Sequence, residues 1–281
     1  MMVRSRSERA ADWAVYAAML VLALAFLLPV LWLVSLSVRT QAEVFLGAAR
    51  FIPEAPTLDN FARVLRDGGF QSYIWNTVKL ASLGAAGAVA LAAPAAYALS
   101  RMAFRGKGPL MLGILSVQMV SGLVVLIPLY RFMDRLGLLE SHFGTTLLYI
   151  AAGIPVTIWL LKVSFDAVPR SLDDAAAIDG LSRFESFALI TLPLALPGLI
   201  SAFILNLILN WSQFLIPFIM LSADDKWPIS VAIFRFAGST SAATTQLLAA
   251  ACLLAILPAL AIFVILQRYI LAALTAGAVK E

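Results

Sequence analysis

The chain has 281 residues, of which 62% are hydrophobic and only 13% are charged, and its formal net charge is +4. This composition is typical of polytopic membrane proteins. No basic run is dense enough for nucleic-acid binding. The single cysteine, Cys252, excludes a disulfide framework and a cysteine-based metal site.

Six segments are long enough to cross a hydrocarbon core, which needs about 20 apolar residues. The first is longer than the roughly 7–15-residue core of a signal peptide and is followed by no small-residue cleavage site, so we interpret it as a retained span. We therefore predict an all-α polytopic membrane protein whose residues 1–281 form a single transmembrane domain. The predicted spans are 13–38, 80–100, 109–130, 143–161, 193–221 and 247–266.

The orientation is predicted by Lys and Arg in the short loops, because cytoplasmic loops carry an excess of these residues. The clearest contrast is the loop from Arg101 to Lys107, which has three basic residues and no acid. We therefore predict that the N- and C-termini are both cytoplasmic. The same topology puts residues 169–193, between spans four and five, in the cytoplasm; we call them the cytoplasmic segment.

The cytoplasmic segment carries two capping-box patterns, in which a hydroxyl caps a helix and a carboxylate three residues on reaches back to the cap. The pairs are Ser171 with Asp174 and Ser182 with Glu185. Gly180 lies between them, where a helix that ends in a left-handed residue needs glycine. The pattern predicts a short helix, a sharp turn and a second short helix.

Three alanines, Ala175 to Ala177, follow two acidic residues, Asp173 and Asp174. Carboxylates in a first helical turn are favoured by the helix dipole alone, so capping is one explanation for them. The alanines form a helix with almost no side-chain bulk, which can press into a groove on another protein. Four apolar residues are expected to anchor the two short helices against the membrane bundle: Ile178, Phe184, Phe187 and Ile190.

The second span contains small residues at spacings of three and four: Ala81, Gly84, Ala85, Ala88 and Ala92. Such a face lets helix backbones approach closely in lipid. We interpret it as ordinary bundle packing in preference to a direct role in translocation.

A polar stripe crosses the fifth span, where Asn206, Asn210 and Gln213 fall on one helical face beside Trp211. Two interpretations are open. The stripe is the wall of a translocation path, because amides and an aromatic ring suit hydroxyl-rich ligands. Alternatively, it holds helices together through interhelical hydrogen bonds, which contribute about 0.6 kcal/mol each.

No catalytic constellation is present in the sequence. The one histidine, His142, lies at a predicted external span boundary, where a structural role is expected. Gly106-Lys107 is followed by Gly108, where a phosphate loop needs Ser or Thr. The chain is therefore not expected to bind or hydrolyse ATP itself, and no metal site is expected.

Three short runs in the cytoplasmic segment carry a resemblance to a known family. They are Asp174-Ala175-Ala176, then Ile178-Asp179-Gly180, then Ile190-Thr191-Leu192-Pro193. With their spacing they resemble the EAA signature of ABC-importer permeases, in which this loop is the coupling helix seated in a cleft of an ATPase subunit. The signature opens with glutamate, whose position Asp174 occupies, with Asp173 as the alternative for the same contact. The resemblance assigns ten residues to ATPase coupling: Ser171, Asp173, Asp174, Ala175, Ala176, Asp179, Gly180, Ile190, Leu192 and Pro193.

Further runs resemble the carbohydrate-importer branch of that family. They are 95–101, Ile127-Pro128-Leu129-Tyr130 and Asn210-Trp211. The tail from Gln267 onward is similar to that of the maltose-type second permease subunit. In that subgroup the tail reaches towards the ATPase dimer, which assigns Thr275, Gly277 and Lys280 to this contact.

The resemblance implies one half of a heterodimeric pore that moves a sugar inward across the inner membrane of a prokaryote. The implied partners are a second permease subunit, two ATPase subunits that carry ATP and magnesium, an extracytoplasmic solute-binding protein and membrane lipid. No cofactor is expected on this chain and no nucleic acid among its partners. ATPase closure is expected to move residues 171–179 as a rigid lever that rocks spans four and five.

Two alternatives are kept open. The same machinery could carry glycerol phosphate or an amino sugar instead. A stand-alone secondary carrier or an intramembrane enzyme is disfavoured, because carriers place ionisable groups within their spans and these spans are nearly free of them.

Overall fold

The computed structural model describes residues 6–46, 51–237 and 244–278, with side chains described between residues 12 and 265 of those ranges. These residues are mostly helical and contain no strand. In chain order the helices are α1 (Arg6–Ser37), α2 (Gln41–Phe45), α3 (Asp59–Arg66), α4 (Phe70–Arg101), α5 (Lys107–Ser116), α6 (Gly122–Arg135), α7 (His142–Asp166), α8 (Ser171–Ile178), α9 (Arg183–Ser186), α10 (Leu192–Leu194), α11 (Leu196–Trp211), α12 (Leu215–Met220), α13 (Ile229–Ala232) and α14 (Thr245–Ala278).

Four helical stretches of the described chain are long and apolar enough to cross a membrane. They are Asp12–Ser37, Phe70–Arg101, His142–Asp166 and Thr245–Ile265. Two bent helix pairs also qualify if each pair counts as one span, which raises the total to six. The chain is thus a polytopic helical membrane protein, and the prediction of six spans requires both bent pairs to cross as units.

The first bent pair, Lys107–Met119 with Gly122–Arg135, turns through 91°. The turn occurs because Val120 and Ser121 leave the helical conformation for an extended one. The predicted span 109–130 is therefore two helices that meet at an angle.

The second bent pair, Arg183–Leu194 with Leu196–Trp211, turns through 75°. Pro197 lies in the first turn of α11 and has no N–H with which to continue the hydrogen-bond ladder from the preceding helix. Within the predicted span 193–221 a further interruption separates α11 from α12 at residues 212–214.

The described chain separates into two compact units. The first comprises Met1–Asp67 and Ile233–Ile256. Within it, the buried side chain of Asn60 donates from Nδ2 to the carbonyls of Ser37 and Arg39, at 2.8 Å each. This amide thereby ties α3 to the C-terminal end of α1.

The second unit comprises Gly68–Ala232 and Leu257–Glu281. Its core forms where α4 packs against α7 and α11. The predicted small-residue face is confirmed, because Ala81, Gly84, Ala85, Ala88 and Ala92 are all buried on α4. A Cβ placed on Gly84 would lie 2.7 Å from Tyr149 Cβ and 2.8 Å from Asn210 Nδ2, so glycine is what permits this approach.

At one end of the second unit, side chains from other parts of the chain form hydrogen bonds with the backbone of residues 221–229. Asn76 Nδ2 donates to the carbonyls of Asp225 and Trp227, at 2.8 and 3.1 Å. His142 Nε2 lies 2.8 Å from the carbonyl oxygen of Lys226, which is the structural role expected for this histidine. The Glu140 carboxylate accepts from the amides of the same segment, at residues 222 and 223.

Candidate functional site

The cytoplasmic segment folds as a short helix, a turn and a second short helix, as predicted. Gly180 adopts φ +87°, and the amides of Gly180 and Leu181 donate to the carbonyls of Ala177 and Ala176 at 3.2 and 3.0 Å. This pairing closes α8 with a Schellman motif, in which only glycine adopts the left-handed position without strain.

One of the two predicted capping boxes is confirmed. Ser182 Oγ accepts from the amide of Glu185 at 3.3 Å, while the Glu185 carboxylate accepts from the Ser182 amide at 2.7 Å. The box predicted at Ser171 and Asp174 is wrong. Arg170 already has helical dihedrals, so α8 starts one residue earlier than a capping serine requires, and Ser171 becomes its first helical residue.

The two neighbouring acids of α8 point to different surroundings. Asp174 is exposed, whereas Asp173 turns inward. Its Oδ1 accepts from Ser186 Oγ at 2.6 Å and from Thr191 Oγ1 at 3.1 Å. Its Oδ2 lies 2.8 Å from Arg101 Nε, and the exposed fractions of the Asp173 and Arg101 side chains are 19% and 9%. Asp173 therefore joins α8 to α4, to the last residue of α9 and to the chain after α9.

The chain after α9 is a π-helical turn, Phe187–Thr191, that leads into α10. Beneath Asp173, Tyr97, Phe165 and Phe187 form a cluster with ring centroids 4.8 to 6.1 Å apart. The hydroxyl of Tyr97 also donates to Asp173 Oδ1, at 3.4 Å. The polar contacts of Asp173 thus lie next to this aromatic cluster.

Further hydrogen bonds tie the end of α4 to the connection between α7 and α8. Arg101 donates to the carbonyl of Val168 at 2.9 Å, and Arg170 donates to the carbonyl of Ser100 at 3.1 Å. Ser100 Oγ donates to the Asp166 carboxylate at 2.6 Å. These bonds all involve residues just before α8, so the N-terminal end of α8 is fixed to α4 at several points.

Two of the residues expected to anchor the cytoplasmic segment do not do so. Ile178 is 87% exposed and Phe184 is 74% exposed, because each lies on the side away from the bundle. Phe187 is buried and Ile190 half-buried, as anchors should be. The outer side of α8 and α9 therefore presents two apolar side chains together with Asp174.

The remaining predicted coupling residues lie around the same surface. Ala175 and Asp179 are exposed, and Ala176 is buried beneath α8. Leu192 is half-buried and Pro193 exposed, both in α10. A cavity of about 350 Å³ opens beside α8, and its lining includes Arg101, Arg170, Asp173, Asp174 and Arg183.

The polar stripe of α11 divides into two parts. Asn206 and Asn210 are buried; Asn206 Nδ2 donates to Thr157 Oγ1 of α7 at 2.7 Å, and Asn210 Nδ2 donates to the Ala81 carbonyl of α4 at 3.3 Å. These two amides act as interhelical hydrogen bonds. Trp211 is buried against the small residues of α4, with 9% of its surface exposed.

Gln213 differs from the two asparagines. It lies in the non-helical break after α11 and lines a second cavity of about 260 Å³. Of the predicted path residues, Gln213 is the one placed at a cavity. Its neighbour there, Gln118, was missed by the sequence analysis, although an amide inside the predicted span 109–130 was a usable signal.

The three predicted tail residues lie at the C-terminal end of the chain. Thr275 and Gly277 belong to the backbone of α14, beyond the residues whose side chains are described. Lys280 lies outside the described residues. Among the residues that are described, no group of three His, Cys, Asp or Glu side chains could hold a metal ion.

These features define a polytopic helical membrane protein whose helix bundle carries a capped helix–turn–helix element. The family of binding-protein-dependent transport system inner membrane components matches residues 88–275, and the chain belongs to this family. The match includes the whole of the cytoplasmic segment. The family consists of membrane components of ABC importers.

The similarity between this chain and known proteins extends over nearly its full length. The trehalose transport system permease protein SugB of Mycobacterium tuberculosis is 34% identical over 275 residues, covering 98% of this chain and 99% of SugB. The maltose/maltodextrin transport system permease protein MalG of Vibrio parahaemolyticus is 31% identical over 298 residues, covering 99% of each chain. A crystal structure of a bacterial ABC transporter that imports the acidic polysaccharide alginate contains a chain of the same fold, with a TM-score of 0.79, 24% identity and coverage of 96% of this chain and 99% of that one.

Proposed function

We propose that this chain is the transmembrane permease subunit of an ATP-driven ABC importer that moves a sugar or oligosaccharide into the cytoplasm. One observation carries the proposal: the full-length relatives, at 31% and 34% identity, are permeases for maltose and for trehalose. Both cargoes are sugars rich in hydroxyl groups. A sugar is therefore favoured over glycerol phosphate or an amino sugar.

The proposed topology has six spans in the inner membrane of a prokaryotic cell, with both termini in the cytoplasm. Each bent helix pair crosses as one span. Arg101, Arg170 and Arg183 line one cavity beside α8, so three basic residues gather on a single side of the bundle. That clustering supports a cytoplasmic position for α8, because basic residues concentrate on the cytoplasmic side.

The proposed partners are a second permease subunit, two ATPase subunits that hold ATP and magnesium, and an extracytoplasmic binding protein. The chain itself takes no part in ATP hydrolysis. ATPase contact is assigned to the outer side of α8 and α9, where Asp174, Ile178 and Phe184 are exposed. Exposed apolar side chains beside a carboxylate suit a groove with an apolar floor and a basic rim.

The proposed mechanism uses α8 as a lever that responds to closure of the ATPase subunits. Because Asp173 is bonded to Arg101, the lever pulls first on α4. Movement then reaches α7 and α11, which pack against α4. This adds α4 to the two spans that were expected to rock.

Purification of the tagged chain from its native membrane tests the assembly, and reconstitution in proteoliposomes tests transport. We expect an ATPase with its own phosphate loop to co-purify, and ATP hydrolysis to rise when binding protein and the correct mono- or disaccharide are added. Stimulation by glycerol phosphate or by an amino sugar alone would replace the sugar assignment. ATP-independent transport by the isolated chain would refute the importer.

A further inference from the structure

The second cavity lies where two helix interruptions meet, and its lining from the first of them, including Gln118, is exposed in this chain. One interruption is the short turn Val117–Met119 that precedes the 91° bend between α5 and α6. The other is the break between α11 and α12 that contains Gln213. Together with α6, α7 and α12 they line about 260 Å³. Non-helical backbone at membrane depth is tolerated where it is buried in protein or lines a water-filled cavity. Two such interruptions beside one cavity therefore fit a cavity that water or a polar ligand can enter.

The walls of this cavity are apolar except for two amide side chains, Gln118 and Gln213. Gln118 Nε2 donates to the carbonyl of Ala152 at 3.2 Å. Gln213 Oε1 accepts from the amide of Leu215 at 3.2 Å. Each side chain is thus held by one end of its amide group.

The other ends of the two amides remain unused within the described part of the chain. Gln118 Oε1 is a hydrogen-bond acceptor, and Gln213 Nε2 is a donor of two hydrogens. Neither atom has a hydrogen-bond partner among the residues that the structure describes. A held acceptor and a held donor on one cavity match the hydroxyl group, which both donates and accepts.

We propose that this cavity is a subsite for a single sugar unit on the translocation route, with Gln118 and Gln213 as its hydroxyl-binding residues. The inference rests on the proposed function for the sugar class. The volume of the cavity is below the roughly 300–1,000 Å³ of sites for drug-sized ligands. This size fits one sugar ring rather than an oligosaccharide. Apolar walls of valine, leucine and isoleucine contact the C–H faces of the ring. Two neutral hydrogen bonds hold it weakly enough for release.

The contrast with the other amides of α11 supports this assignment. Asn206 and Asn210 donate hydrogen bonds to neighbouring helices, and their exposed fractions are 2% and 8%. Gln213 sits outside the helix, where it cannot join α11 to a neighbour in the same way. The stripe thus consists of two packing residues and one residue that faces the cavity.

Transport by the reconstituted complex tests the subsite. We expect Gln118→Leu and Gln213→Leu each to lower the amount of sugar imported per ATP hydrolysed by about two- to ten-fold, the effect of one neutral hydrogen bond. Gln71→Leu is the matched control, because Gln71 is an exposed glutamine of α4 that does not line the cavity. An unchanged ratio in the double variant would overturn the subsite.

Thiol labelling gives a readout that does not depend on transport. In a Cys252→Ser background, Gln118→Cys and Gln213→Cys should react with a small hydrophilic thiol reagent. Labelling should slow when maltose or trehalose, binding protein and ATP are supplied. Labelling that is absent at both positions contradicts the proposal and would mean that the second permease subunit covers the cavity. Labelling that occurs but is indifferent to sugar also contradicts it. If the wild-type complex imports no sugar at all, the proposed function fails, which is a different outcome.

Discussion

Arg101 Nε lies 2.8 Å from Asp173 Oδ2, and this ion pair joins the last turn of α4 to the first turn of α8. The neighbouring carboxylate, Asp174, is exposed. One acid is therefore committed to the fold, while the other is available to a partner. Under the proposed function, the exposed Asp174 is the acid expected to meet the ATPase subunit.

Removal of the Asp173 carboxylate should destabilise the protein. In the variant Asp173→Ala, Ser186 and Thr191 lose a hydrogen-bond acceptor and Arg101 loses its ion-pair partner, which should cost about 1–3 kcal/mol of unfolding free energy. Asp174→Ala is the matched control, with a change of at most about 1 kcal/mol from the helix dipole. Thermal unfolding in detergent measures both variants. Equal midpoints for Asp173→Ala and Asp174→Ala would contradict this division of roles.

Replacement of Gly180 should act through the backbone alone. A Cβ at Gly180 meets nothing within 4 Å, yet its φ of +87° is strained for any L-residue. We expect Gly180→Ala to cost about 1–2 kcal/mol of unfolding free energy and to reduce the coupling of ATP hydrolysis to uptake. Gly108→Ala, where the added Cβ is equally unhindered and φ lies outside the left-handed region, should be neutral. Matching midpoints for the two variants would argue against a strained turn.

The interhelical role of Asn206 predicts a measurable coupling energy with Thr157. Asn206 Nδ2 donates to Thr157 Oγ1 at 2.7 Å between buried side chains. A double-mutant cycle of Asn206→Leu and Thr157→Val should give about 0.6 kcal/mol, and at most about 1.7 kcal/mol. Sugar selectivity should not change in either variant. Additive effects on stability, or an altered preference among sugars, would count against packing as the role of Asn206.

Close approach at Gly84 predicts a position-specific effect of added bulk. A Cβ there would press on Tyr149 and Asn210. Gly84→Val should therefore lower the thermal midpoint by separating α4 from α7, with a cost of about 1–3 kcal/mol. Ala86→Val on the exposed side of the same helix is the control and should have little effect. Comparable losses from both substitutions would show general intolerance of β-branched residues in α4 instead.

Acid should release the segment that Glu140 holds. Burial opposes ionisation of Glu140, but hydrogen bonds from Ser222 and Ala223 and the charge of Lys226 together hold its pKa below the ordinary value. A depressed folded pKa stabilises the native state above the unfolded value of about 4.3, and that stability is lost as the pH falls through the folded pKa. Hydrogen exchange at the amides of Ser222 and Ala223, corrected for intrinsic rates, should accelerate in that range. In Glu140→Gln the acceleration should be absent; a wild-type profile in this variant would exclude Glu140 as its cause.

Local sequence rules predicted those parts of the cytoplasmic segment that depend on neighbouring residues alone. Gly180 ends α8, and Ser182 with Glu185 caps α9, because both motifs are completed within a few residues. The small-residue face of α4 was predicted for a similar reason, since helical spacing fixes which residues share a side.

Tertiary partners decided what those rules could not. Whether Asp173 or Asp174 turns inward depends on Arg101, which is distant in sequence, and on two hydroxyls beyond the turn at Gly180. One hydroxyl is at the end of α9 and the other follows it. The capping box at Ser171 failed because the chain enters α8 already helical at Arg170. Apolar Ile178 and Phe184 were assigned to the bundle by composition, yet the fold leaves them exposed.

The hydropathy pattern also could not predict where the spans are interrupted. Hydropathy counts apolar residues and does not register the extended conformation of Val120 and Ser121. Gln118 was therefore hidden inside an apparently uniform span. Its position became meaningful only when the bend brought it to the same cavity as Gln213.

The wide turn Phe187–Thr191 has a consequence for the positions of two hydroxyl groups. Ser186 and Thr191 are five residues apart, which would put them about 140° apart around a helix of 3.6 residues per turn. In the π-helical turn both hydroxyls reach the same oxygen of Asp173. Ordinary winding with all five residues kept would therefore swing one hydroxyl away, whereas deleting Ala188 would leave the two residues four apart, about 40° around an ordinary helix. The wide turn thus fits one residue more than an ordinary helix would between Ser186 and Thr191, so a loss of the π-helical winding at constant chain length should separate the two hydroxyls.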